Sequence, residues 1–341
     1  MTGSVETALS FGDEANGRIV LRGHDLARLA QSHGYEDVVA ILWRVVVPAD
    51  LTKEVLGAAR ARLFPRLASL EALAAGRSTA DAMHLLLAAL PIDGAVAAVA
   101  ATGLAATLAM RSAGGLPWLA PDPALGHAAD LLRLATGGAP DAATARALER
   151  YMILMIDHGV SASTFAVRIA ASTGAGLAGC VAAGLAVLEG PLHGGAPSMV
   201  LDQLDEMQGV SDVPAYVAQL RARGKRVVGF GSRAYQGEDL RSALMHRQWE
   251  AIGGATGARF DAVATEAALA DALAAAGKPL RANVEYYAAL LLEACGIPRA
   301  GFTPMFAAAR AAGWMAHVAE QRAAGRMIRP QTRYVGALPG C

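Results

Sequence analysis

Four short polar groupings, each beside a break between apolar stretches, hold the residue types that can do chemistry. In Gly190-Pro191-Leu192-His193-Gly194-Gly195-Ala196-Pro197 a histidine sits in a glycine-rich turn after an apolar helix. Glycine permits unusual backbone angles and lets a ligand approach the chain. An imidazole N–H presented there can donate to a developing oxyanion. Asp157-His158-Gly159-Val160-Ser161-Ala162-Ser163-Thr164 interrupts an apolar run and, taken alone, reads as the cap of the next helix. Gly229-Phe230-Gly231-Ser232-Arg233 leads on to Arg241. A lone G-x-G with two arginines reads either as an anion site or as a surface turn with solvated charges. In Arg281-Ala282-Asn283-Val284-Glu285 a single acid enters an apolar helix. A carboxylate in such surroundings has a raised pKa and can act as a base, unless a neighbouring arginine satisfies it.

The elements that must position these groups read as helices. Apolar residues recur at helical spacing over Ala27–Leu42, Val55–Leu73, Ala143–Ile156, Leu240–Ile252 and Val284–Ala294. β-branched runs are short, Val45–Val47 and Val227–Val228. Gly and Pro punctuate the pattern, and the chain reads as all-α. Two uncharged stretches, Gly94–Met110 and Ile169–Leu188, are built on Ala, Gly, Ser and Thr. They read as buried, closely packed helices rather than membrane spans. The Gly-Ala stripe Ala170–Ala186 suits a tight helix–helix or subunit interface.

Composition narrows the class. The 341 residues carry 30 Lys+Arg against 30 Asp+Glu, and 54% are hydrophobic. That is too apolar for disorder, and no basic excess points to nucleic acid. Only Lys53, Lys225 and Lys278 are lysines, so arginine supplies nearly all the positive charge; its planar fork suits carboxylate or phosphate. Cys180, Cys295 and Cys341 make no disulfide framework and no C-x-x-C pair. No His/Cys/Asp/Glu spacing resembles a metal site. The first residues lack a cationic head followed by an apolar run. A cytoplasmic protein without membrane or nucleic-acid partners is expected. His33, His84, His127 and His246 have no constellation around them in the sequence, and His24 and His317 read as structural.

Taken together and in order, the four groupings resemble the citrate synthase family. The matching segments are Gly190–Ala196, Gly229–Arg241, Asn283–Tyr287, Phe306–His317 and Arg329–Gly336, and Thr7–Pro48 is similar to the family's opening. The resemblance implies a citrate synthase-like all-α fold. Residues 1–193 and 292–341 would form a large helical domain, residues 194–291 a smaller one, and the active site would lie in the cleft between them. It implies a homodimer, or a hetero-oligomer with a paralogue. No cofactor would be permanently bound, and acetyl-CoA or another acyl-CoA would be the cosubstrate.

The implied reaction condenses acetyl-CoA with oxaloacetate and releases CoA. By position, Glu285 is the base that removes a proton from the thioester methyl, and His193 donates to the thioester oxygen. Ser232 stands where the family has a ketone-polarising histidine. His158 binds the oxo acid, and Arg241, Arg310 and Arg329, the last from the other subunit, bind its carboxylates. Arg233, Gly229 and Gly231 fall where the family binds CoA. Serine at 232 can donate a hydrogen bond but cannot carry charge, and losing an acid–base group costs about 10²–10⁴-fold. Glu285 stands for a family Asp, Ser161 for an Asn, Gln236 for a Lys and Leu240 for a Pro. Two outcomes stay open. One is a re-tuned condensing enzyme, including 2-methylcitrate synthase or a citryl-CoA lyase. The other is an impaired homologue that binds CoA and oxo acid or regulates an active partner.

Overall fold

A small antiparallel sheet precedes a long run of helices. The structure is a computed structural model and describes residues 5–13, 18–49, 51–231, 239–257, 259 and 261–336. Strands β1 (Ser10–Asp13), β2 (Arg18–Leu21) and β3 (His24–Asp25) pair in sequence order, with Ser10 opposite Leu21 and Leu21 opposite His24. Arg22 and Gly23 turn the second hairpin at φ 48° and 86°. A two-residue turn with both φ positive matches the right-handed twist of the strands it joins. These strands lie in the segment that reads from sequence as the opening of an all-helical chain, because alternation over only four residues is too short to stand out.

The helices are α1 (Leu26–Ser32), α2 (Tyr35–Trp43), α3 (Lys53–Leu63), α4 (Glu71–Ala74), α5 (Thr79–Ala89), α6 (Ala95–Ala113), α7 (His127–Thr136) and α8 (Ala142–Met155). They continue with α9 (Ala162–Ser172), α10 (Leu177–Leu188), α11 (Ala196–Glu206), α12 (Val213–Ala222), α13 (Leu240–Ala251), α14 (Ala262–Ala275), α15 (Val284–Ala294) and α16 (Phe302–Ala323). The periodic window Ala27–Leu42 is two helices, broken at His33-Gly34, and Pro65 ends the long run begun in α3. Val45–Val47 and Val227–Val228 are not strands.

The core lies along α6 and α16. Helix α6 is long and apolar enough to cross a bilayer, yet it is buried inside the fold. Helix α16 packs against α2, α6, α8, α9 and α10, while α15 packs against α11 and α13, and α12 against α14. The uncharged stretch Ile169–Leu188 is two helices, α9 and α10, separated at Thr173–Gly176. They pack closely on each other and on α16. A Cβ at Gly184 would come within 2.7 Å of Val167 and 3.0 Å of Trp314, so the Gly-Ala stripe serves helix–helix contact.

Candidate active site

Three of the site segments are helix N-termini, each capped by a short polar side chain. Ser161 caps α9, Asp239 caps α13 and Asn283 caps α15. Such caps satisfy amides that the first helical turn leaves unpaired, each worth about 1 kcal/mol. They also fix the first-turn residues Ser163, Arg241 and Glu285 at the positive ends of their helices.

The loop between α8 and α9 carries His158, and α16 delivers Arg310 to it. Arg310 is fully buried. Its Nε donates to the Met155 carbonyl at 2.7 Å, one Nη to Ser161 Oγ at 3.3 Å and the other to His158 Nδ1 at 2.8 Å. A guanidinium can only donate, so Nδ1 of His158 accepts and the neutral ring holds its proton on Nε2. Burial, then the charges of Arg310 and Arg241, hold the His158 pKa well below the ordinary value. His158 is therefore a neutral N–H donor, not a cation. Burial also lowers Arg310 to about 10, which leaves it charged at neutral pH. Its guanidinium lies 4.9 Å from the ring centroid of Phe306.

His193 meets the same Phe306 ring. Its imidazole meets Phe306 edge-on at 6.1 Å, and its Nε2 is 2.9 Å from Ser163 Oγ and 3.4 Å from the Ser163 amide. The amide can only donate, so Nε2 accepts and Nδ1 keeps the proton. Burial, then the charge of Arg310, pushes the His193 pKa down to about 4. The glycine turn that presents it is required by packing. Gly194 N donates to the Leu188 carbonyl at 2.8 Å, and a Cβ at Gly194 would sit 2.7 Å from that oxygen. Thr303 of α16 holds the turn by donating to the Gly194 carbonyl.

Glu285 lies half-buried in the first turn of α15. Burial raises its pKa from 4.5 to about 7, against the opposing charge of Arg241 and the hydrogen bond from Asn283. The Asn283 side chain accepts from the Glu285 amide at 2.9 Å and donates to the Gly231 carbonyl at 2.8 Å. The Asn283 amide donates to Gly229, Gly231 donates to Arg281, and Phe230 bridges Ala282. The G-x-G segment is thereby zipped to the start of α15, and Gly229 stands at φ 78° with Val200 and Tyr286 closing around it. These glycines thus have a structural use that the sequence did not reveal. Ser232 and Arg233 lie outside the described residues.

Arg241, expected to bind a carboxylate of the oxo acid, meets a carboxylate of the chain itself. Its Nε and one Nη donate to the two oxygens of Asp239, at 3.0 and 2.8 Å, and both residues are buried. An acid two residues upstream, in the cap position, fills the fork. The charge of Arg241 still acts on His158, Glu285 and Arg310. Arg329 is exposed beyond α16, with no bond to the site groups among the described residues.

Several residues go beyond those singled out from sequence. Phe306 seats both His193 and Arg310, Ser163 fixes the His193 tautomer, and Asp157 and His317 are buried together behind His158. Each lies inside a motif already marked, but only proximity assigns it a job. His127, isolated in the sequence, accepts from the buried Arg60 beside Asp130. His84 pairs with Glu189, and His246 stacks on Tyr287. Among the described residues no group of three His, Cys, Asp or Glu side chains is placed to hold a metal ion.

This geometry has relatives. The family description "Citrate synthase, C-terminal domain" matches residues 1–331. The chain belongs to the citrate synthase family. It is 32% identical to the citrate synthase of Haloferax volcanii, over 97% of this chain and 93% of that one. It is 29% identical to the 2-methylcitrate synthase of Mycobacterium tuberculosis, over 98% and 90%. The fold matches the crystal structure of citrate synthase from Thermotoga maritima with a TM-score of 0.86 and 27% identity, over 99% of this chain and 95% of that one. The helical citrate synthase-like architecture expected from the motifs is the one observed.

Proposed function

We propose that this protein is a transferase that condenses an acyl-CoA with a 2-oxo dicarboxylate and releases CoA, in the manner of citrate synthase or 2-methylcitrate synthase. The observation that carries the reading is the meeting of three groups from sequence-distant elements with their protons set for donation: Arg310 bonds His158 and shares the Phe306 ring with His193. Glu285 takes the α-proton of the thioester as its carboxylate. His193 Nδ1–H donates to the thioester oxygen as the enol forms, and a neutral imidazole can do this without first losing a proton. The α-carbon then attacks the ketone of the oxo acid, and hydrolysis of the new thioester frees CoA. His158 Nε2–H and Arg310 hold the oxo acid in place, and a fixed pose is worth several orders of magnitude in rate.

On this reading the chain divides into a large domain, residues 1–193 and 292–341, and a smaller one, residues 194–291, with the site between them. Arg329 joins the carboxylate set from a second copy of the chain, consistent with its exposed position beyond α16. Gly229, Gly231 and Arg233 contact CoA. Acetyl-CoA with oxaloacetate is the first pair to test; propionyl-CoA differs by one methylene, worth about 1–3 kcal/mol in an apolar pocket. Serine at 232, where the family resemblance implies a ketone-polarising histidine, favours a second reading, in which the chain binds CoA and oxo acid without turnover, as a regulatory subunit.

The test is release of CoA thiol by the purified protein, with acetyl-, propionyl- and longer acyl-CoAs crossed against a panel of 2-oxo acids. Turnover dependent on one pair supports the enzyme and names its substrates. Thermal stabilisation by the ligands without turnover selects the second reading.

A further inference from the structure

The turn that carries His158 is closed by a residue almost 150 positions away. Ser10, the first residue of β1, is buried and places its hydroxyl between the two neighbours of His158. Ser10 Oγ donates to Asp157 Oδ2 at 2.5 Å and accepts from the Gly159 amide at 2.6 Å. Gly159 stands at φ 91°, a conformation that the turn imposes and that only glycine adopts at little cost. One hydroxyl thus ties residue 157 to residue 159 and leaves the residue between them projecting into the site.

The far side of Asp157 is fixed as well. His317 Nε2 lies 3.1 and 3.3 Å from the two Asp157 oxygens. Arg168 donates to His317 Nδ1 at 3.0 Å, so the imidazole proton is on Nε2 and points at the carboxylate. Asp157 and His317 are both fully buried, and a Cβ at Gly313 would lie 2.3 Å from the Ile156 carbonyl. The turn is therefore pressed on α16, and Ser10 supplies the restraint from the sheet side. Arg310 then engages an imidazole whose backbone cannot drift.

We propose that Ser10 is a positioning residue for the 2-oxo acid: its hydroxyl staples Asp157 to Gly159 and so sets the direction of His158 Nε2–H. The inference rests on the functional reading above, in which His158 contacts the oxo acid. Ser10→Ala leaves the Gly159 amide without its partner and takes one of two donors from Asp157 Oδ2, which keeps only His317, and such losses are expensive. His158 then samples orientations that no longer meet the ligand. Oxo-acid binding weakens while the acyl-CoA side of the site, seated on Ser163 and Phe306, is untouched.

The experiment measures the calorimetric Kd for oxaloacetate, KM for each substrate and thermal stability in wild type, Ser10→Ala, Ser10→Thr and Asp157→Asn. Ser10→Ala is expected to weaken oxaloacetate binding about tenfold and leave KM for the acyl-CoA unchanged. Ser10→Thr, which keeps the hydroxyl, restores most of the affinity. Asp157→Asn, isosteric, weakens oxaloacetate binding in the same direction and tests the staple from its other end if Ser10→Ala fails to fold. In a His158→Ala background, Ser10→Ala adds no further loss. An unchanged oxaloacetate Kd in a less stable Ser10→Ala protein overturns the inference and leaves the functional reading standing. So does an equal weakening in both backgrounds. A wild-type protein that binds no oxo acid at all overturns the functional reading and the inference with it.

Discussion

With Glu285 as the base of the proposed reaction, the pH dependence of catalysis and that of stability run in opposite directions. Its carboxyl is raised from 4.5 to about 7, chiefly by burial. A base works only when ionised, so kcat/KM should rise with pH and reach half its plateau near pH 7. At pH 6 roughly a tenth of the molecules would carry the carboxylate, and at pH 8 about nine-tenths. His193, with a pKa of about 4, stays neutral across that window and does not contribute to the limb. Stability runs the other way. Between pH 4.5 and 7 the folded chain holds a proton that the unfolded chain has already released, so stability falls as pH rises through that window. Displacement from 4.5 to about 7 corresponds to roughly 3 kcal/mol, fully lost above pH 7. Glu285→Gln removes the penalty along with the base. At pH 8 the variant should be inactive yet melt roughly 3–5 °C higher than wild type, and the difference should close as pH falls below 4.5. The assay is a pH series of kcat/KM beside thermal melts of both proteins. A flat kcat/KM from pH 5 to 8, or a Glu285→Gln protein that melts lower at pH 8, would refute the placement of the charge.

Other perturbations probe the rest of the site. Arg310→Ala removes the donor that fixes His158 and, on the proposed function, the cation that holds the oxo acid, so oxaloacetate should raise its melting temperature far less than that of wild type. Ser163→Ala releases Nε2 of His193 from the hydroxyl, and kcat should drop about tenfold with oxo-acid binding intact, read by stopped-flow thiol release and calorimetry. Gly313→Ala drives a Cβ into the Ile156 carbonyl and should cost about 1–3 kcal/mol in denaturant unfolding; an unaltered midpoint would mean that the α8–α9 turn yields freely. Ser232→His restores an imidazole at the polarising position and should raise the condensation rate, whereas a fall would mark a site rebuilt around serine.

Much of this was legible in the residues. Helices α8, α13 and α15 fall close to their periodic windows because each has a strong polar cap and an apolar face that no glycine or proline interrupts. The breaks at His33-Gly34 and Thr173–Gly176 were hidden because the apolar spacing runs on through them. Residue type and order pick out the candidate groups, but what each one touches depends on its partners. Nothing near Arg241 in the sequence says that Asp239 folds back into its fork, since a cap two residues upstream reads as a cap and nothing more. The role of Ser10 is invisible locally, because its partners are set by how β1 docks on the α8–α9 turn. Tautomers of His158 and His193 follow only once Arg310 and the Ser163 amide are in place.

One helix acts as the ruler of this active centre. Phe306, Arg310, Gly313, His317 and Glu320 follow one another along α16 at steps of three or four, so they share one face over about 21 Å. Each meets a different part of the site: Phe306 meets His193, Arg310 meets His158, Gly313 the carbonyl of the turn, His317 the buried aspartate and Glu320 the Arg168 guanidinium. A substitution elsewhere changes one of these contacts. A single residue inserted into α16 would turn everything beyond it by about 100° and break several contacts together. A change of one side chain on this face alters one contact, whereas a change of spacing between Phe306 and Glu320 alters several at once.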